Sequence, residues 1–242
     1  MGSRVRVIIP WRGGCQYREG ALRRVVEWWE STYPMLDIGV SHYPMERGPW
    51  CKGMAIWGCG QVADDEIIII ADADVVCDQV HEAVAALDIR RDAPFWGMPH
   101  RDVYRLNEQA TALYVQNQWK PDATLPRRDI QPYLQRSYAG YPGGGLVVIR
   151  GWALNHIPID PRFTGYGQED HSWALALSRL VGAPWRGHGI LWHLWHPPQP
   201  RIRPGIGSLA GINLWHRYRC ATTPGAMWSL VEESRAELLR NA

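Results

Sequence analysis

Ile67 to Ile70 are four consecutive isoleucines, bracketed by Glu66 and Ala71 as EIIIIA. β-branched side chains favour extended backbone, and successive residues of a strand point to opposite faces, so the run puts apolar groups on both sides of a sheet. A strand of this kind belongs in the interior of a sheet covered on both faces by helices. Its neighbours fit that demand. VRVIIP (5 to 10) reads as a strand ended by proline, and the segment from about Arg18 to Ser31 carries Leu22, Val25, Val26 and Trp29 at helical spacing. DIGVSHY (37 to 43) reads as a second strand and residues 52 to 63 as a helix rich in small residues. The alternation is βαβαβ. It predicts an α/β fold, a Rossmann-like, mostly parallel central sheet flanked by helices, in which ligands lie beyond the carboxyl ends of the strands.

Further on, QVHEAVAAL (79 to 87) predicts a helix and APFWGM (93 to 98) a strand. Residues 100 to 136 are polar, lack clear periodicity and contain Pro121, Pro126 and Pro132, which predicts a mobile loop or insertion. A glycine-rich turn, YPGGG (141 to 145), leads to a strand at 146 to 149, a helix at about 168 to 181 and a short strand near 184 to 192. Pro, Gly and Arg alternate through 197 to 207 before a closing helix at roughly 225 to 240. With no internal repeat and no linker, a single domain spanning 1 to 242 is expected.

Composition removes several alternatives. An apolar fraction of 46% argues against disorder, and a net charge of +2 is too small to signal a nucleic-acid partner, although 24 of the 26 basic residues are arginine and only Lys52 and Lys120 are lysine. Five cysteines with no CxxC pair predict neither a disulfide framework nor a thiolate zinc site, and fit a reducing compartment. No apolar stretch approaches the length of a membrane span, so a cytoplasmic location is expected.

Asp72 and Asp74 follow the isoleucine strand as a DxD pair. Two carboxylates at i and i+2 past a strand end can hold a divalent cation through hard oxygens and leave positions open for diphosphate oxygens. A hydrophobic strand followed by DxDxV also resembles the haloacid-dehalogenase phosphatase signature, in which Asp72 would be the nucleophile. That motif normally ends the first strand of its domain, whereas here two strands and two helices precede it; the later lysine would have to be Lys120, and no GDxxxD segment follows. In FTGYGQEDHSWAL, glycines deliver Glu169 and Asp170 to a helix start, where the helix dipole favours ionised carboxylates that serve either as a general base or as a cap. In HGILWHLWHPP, His193 and His196 are close enough to share an ion, or are packed aromatic surface.

VIIPWR, ERGPWCKGMAIWG, IIIIADADVV, YPGGGLVVIRG, FTGYGQEDHSWAL and HLWHPP, in that order, resemble the GT-A nucleotide-sugar glycosyltransferases of the galactosyltransferase and GalNAc-transferase C-terminal type, over residues 5 to 198. The resemblance implies a nucleotide-binding half at about 1 to 99 and an acceptor-side half at about 100 to 242. Pro10, Trp11 and Arg12, with Arg18 nearby, would lie at the nucleotide end of the first strand. Lys52, Gly53, Asp72 and Ala73 would contact the nucleotide. Mn2+ or Mg2+ would bind Asp72, Asp74 and His196 or His193. Gly143, Gly144 and Gly145 would admit the donor sugar. Tyr166 stands where the family has tryptophan. Glu169 would touch sugar hydroxyls, and Asp170 would take the acceptor's proton. The implied reaction is inverting transfer of a hexose or N-acetylhexosamine, UDP-linked, to a glycan, lipid, protein or other hydroxyl. Two family positions differ: Trp57 replaces a common Asn, and His171 a common acidic residue. A non-catalytic carbohydrate-binding protein, with some of its fourteen tryptophans as sugar platforms, is the remaining alternative.

Overall fold

A computed structural model describes residues 3–43, 48–87, 92–122, 124–138, 143–165, 167–198 and 209–241. The first half alternates as expected: β1 (Val5–Trp11), α1 (Gln16–Thr32), β2 (Asp37–His42), α2 (Lys52–Trp57) and β3 (Ile67–Ala71). Then come β4 (Val75–Val76), α3 (Val80–Leu87), β5 (Trp96–Leu106), α4 (Glu108–Val115), α5 (Arg127–Ile130) and β6 (Leu134–Tyr138). The chain finishes with β7 (Leu146–Arg150), α6 (Gly151–His156), α7 (Glu169–Leu180), β8 (Trp185–His193), α8 (Leu209–Cys220) and α9 (Pro224–Asn241).

The strands form one eight-stranded sheet in the order β2-β1-β3-β7-β5-β8-β4, with β6 paired to β5. β1, β2, β3, β5 and β8 run one way; β7, β4 and β6 run against them. The sheet is thus mixed, with most strands parallel. Its centre answers the isoleucine run. Ile67, Ile69 and Ala71 pack into one apolar layer with Val7, Ile9 and Trp29, while Ile68 and Ile70 pack into the opposite layer with Val147, Ile149 and Trp173. Each isoleucine is at most 2% exposed, and burying such a side chain contributes about 1.5–3 kcal/mol.

Three expectations need correction. Residues 100–136 are not a structureless insertion: β5 runs on to Leu106, and α4, α5 and β6 follow. The α2 helix ends at Trp57 rather than at 63, and α6 and α8 are additional helices. Most of the Pro/Gly/Arg tail, 199–208, lies outside the described residues. All five cysteines are free thiols, and among the described residues no helix is long and apolar enough to cross a membrane.

The C-terminal helices fasten the segment that feeds α7. Asp160, 3% exposed, accepts from Arg162 Nε at 2.9 Å and from the Tyr218 hydroxyl of α8 at 2.9 Å, and Arg162 reaches Glu233 of α9. A buried carboxylate with several donors keeps its backbone in one place.

Candidate active site

β1, β3 and β8 run in one direction, so Trp11, Ala71 and His193 leave the sheet at a common edge. A cavity of about 440 Å3 opens there. Pro10, Trp11 and Arg12 line it from the end of β1, Asp72, Ala73 and Asp74 from the end of β3, and Lys52, Glu169, Asp170 and His193 from the elements around it.

The histidines arrive through backbone pairing. β4 pairs antiparallel with β8, placing Val75 opposite His193, and Leu194 N donates to Asp74 O at 2.8 Å. Asp74, His193 and His196 consequently offer donor atoms within 4.8 Å of one another. His196 Nε2 lies 3.2 Å from Asp74 Oδ2, and His193 Nε2 lies 4.0 Å from Oδ1. Burial pushes the Asp74 carboxyl up, but His193, His196 and Arg18 outweigh it and hold it well below the usual carboxylate range. Burial lowers His193, against the pull of Asp74. A carboxylate with two imidazoles is a donor set that suits a divalent first-row cation, and two nitrogens favour Mn2+ over Mg2+. Asp72 stands outside this trio; its Oδ1 is 2.8 Å from Lys52 Nζ.

In the same cavity, α7 presents Glu169 and Asp170 from its first turn, after Gln168 in the left-handed conformation at φ 78°. A non-glycine residue held there is strained, a pattern that clusters at functional sites. Burial first, and then the charge of Asp170, raises the Glu169 carboxyl. Asp170 is also raised by burial, with Lys52 opposing and Asp72 adding to the rise. Asp170 Oδ1 is 3.0 Å from Lys52 Nζ.

Other expected residues lie elsewhere. Gly143 packs under the start of α7, where a Cβ would strike the Asp170 carbonyl, and Asp72 N donates to Gly145 O at 2.8 Å, so the glycine turn braces the cavity without lining it. Gly53 faces a second cavity, behind α2, of about 400 Å3. Tyr166 is outside the described residues. Gly13, Gly14, Cys15, Trp50 and Gly165 also line the main cavity and were not anticipated. A glycine pair between a strand and a helix, as at 13 and 14, is the local signal that points to them.

A mixed α/β sheet whose edge cavity gathers a candidate metal trio and a carboxylate pair is what fold and cavity together define. No family model matches the chain, and no curated protein matches it. Among solved structures it is similar to Drosophila beta-1,4-galactosyltransferase 7 in complex with manganese, UDP-Gal and xylobiose, at 13% identity and a TM-score of 0.40, over 76% of this chain and 64% of that one. It is also similar to GalNAc-T7 with UDP, GalNAc and Mn2+, at 12% identity and a TM-score of 0.47, over 90% of this chain and 42% of that one. A third likeness, to a mycobacterial protein, has 14% identity and a TM-score of 0.37 over 95% of this chain and 75% of that one. The chain thus spans less than two thirds of the first two, and likenesses this distant say nothing about reaction or substrate.

Proposed function

We propose that the protein is a metal-dependent glycosyltransferase that uses a nucleotide diphosphate sugar, UDP-linked, and transfers the sugar with inversion to an acceptor hydroxyl. The observation that carries this reading is the meeting, around one cavity, of the Asp74–His193–His196 trio and the carboxylates of α7, with Asp74 about a hundred positions from the rest. When bound, a divalent cation supplies positive charge that neutralises the diphosphate leaving group.

The chain's own residues then divide the work. Asp74, His193 and His196 would hold the cation, and Arg12 and Arg18, which line the same cavity, favour a polyanion by charge. Asp170 receives the proton of the acceptor hydroxyl, and Glu169, whose carboxyl burial and Asp170 raise, hydrogen-bonds to sugar hydroxyls. Asp170 on α7 and the trio at the ends of β3 and β8 come from separate elements, so base and cation would act on different groups of the reactants.

A thermal-shift screen of nucleotide diphosphate sugars with and without Mn2+ tests the reading, because a ligand that binds only the folded protein raises Tm by mass action. UDP is expected to stabilise the protein in Mn2+ and to lose that effect in Asp74→Ala. Stabilisation by free glycans, indifferent to chelator, would instead establish the binding-protein alternative.

A further inference from the structure

Lys52 opens α2 and is 6% exposed, yet its ammonium serves two carboxylates at once, Asp72 Oδ1 at 2.8 Å and Asp170 Oδ1 at 3.0 Å. Asp72 follows β3 and Asp170 lies in the first turn of α7, so one side chain spans the two walls of the cavity. The backbone beneath it has little freedom. Gly165 N donates to Trp50 O at 2.8 Å, Cys51 Sγ donates to Pro161 O at 3.2 Å, and a Cβ on Gly53 would come within 2.5 Å of Ile159 O. Motion at this position is therefore left to the four-carbon stem, whose ammonium can exchange partners by rotation.

An Asp170 oxygen that already accepts from an ammonium is a weaker base and is blocked from a hydroxyl. A diphosphate entering the same cavity adds concentrated negative charge that competes for that ammonium. We propose that Lys52 is a positioning residue that couples donor occupancy to base availability: it pairs with Asp170 in the ligand-free protein and shifts to a phosphate oxygen when the donor binds. The acceptor-side carboxylate is then released only beside a bound donor, which orders binding as donor first, acceptor second. No bond forms or breaks in this exchange. The inference rests on the proposed use of a nucleotide diphosphate sugar.

UDP with Mn2+ is the probe, applied to the wild-type protein in a crystal structure and in a thermal-shift measurement on the same sample. The expected result is a raised Tm together with a Lys52–Asp170 separation opened beyond about 4 Å, the limit of an ion pair, and Nζ moved to a phosphate oxygen. UDP stabilisation with the Lys52–Asp170 pair intact overturns the inference and leaves the proposed function standing. No UDP stabilisation overturns both. Asp170→Asn gives a second readout in solution: with the competing carboxylate removed, UDP affinity is expected to rise about fivefold, and an unchanged or lowered affinity counts against the exchange. Lys52→Arg, which keeps the charge, is expected to retain UDP binding better than Lys52→Met; equal binding by the two overturns a role for the ammonium.

Discussion

His100 is fully buried in β5, and neither ring nitrogen has a hydrogen-bond partner among the described residues. Burial, followed by the nearby Arg186, pushes its pKa down to about 4 from the ordinary 6.5. The folded state therefore keeps His100 neutral while the unfolded chain protonates it, so stability present above pH 6.5 is lost as pH falls toward 4. The loss amounts to about 3 kcal/mol. Urea unfolding across that range is expected to show the decline in the wild type and a flatter profile in His100→Leu. Asp170→Asn makes a different prediction: transfer should fall by about 10²-fold or more, as for loss of a general base, while UDP and Mn2+ still bind. Parallel loss of transfer and binding would make Asp170 a structural residue. Asp74, Asp170, His193 and His196 are legible in the sequence because each sits in a short motif with its own chemistry. The Lys52 ion pair is not: its partner Asp170 is 118 positions away, and nothing local marks the two as neighbours.

At the scale of elements, the glycine turn before β7 carries a prediction. Gly143 has φ 83° and lies against the Asp170 carbonyl, so Gly143→Ala meets both backbone strain and a collision with α7. Denaturant unfolding is expected to show a loss of about 1–3 kcal/mol, with the proposed transfer falling further than stability alone explains because Asp170 moves with its helix. β3 was readable because both its faces are buried and apolar throughout, and β1 because its last five residues are buried; β2, mostly half-buried with exposed ends, shows only through Ile38 and Val40. β5 was readable only at its start: beyond His100 it alternates as an exposed edge would, with Arg101 exposed and Asp102, Tyr104 and Arg105 half-buried, and polar alternation of that kind is indistinguishable from loop in sequence. α8 escaped for another reason. It follows a Pro/Gly/Arg stretch, and its buried positions, Gly211, Leu214 and Tyr218, form too narrow a stripe to stand out.

For the whole molecule, the sheet order decides how separable the two halves are. β7, from the second half, lies between β3 of the first and β5, which crosses the boundary between the halves, and hydrogen-bonds to both. One cooperative transition is therefore expected in calorimetry, and a fragment of residues 1–99 is expected to lack native near-UV dichroism. Two resolved transitions, or a folded fragment, would establish two domains. The shared sheet predicts that the nucleotide-side and acceptor-side halves implied by the resemblance do not fold separately.

The wedged position of β7 also bears on synthesis. A nascent chain that has passed the isoleucine strand still lacks the partner for one of its edges, and that partner leaves the ribosome only about eighty residues later. Until then the chain carries an unpaired, wholly apolar ribbon in a crowded cell, a period during which holding chaperones have a defined target.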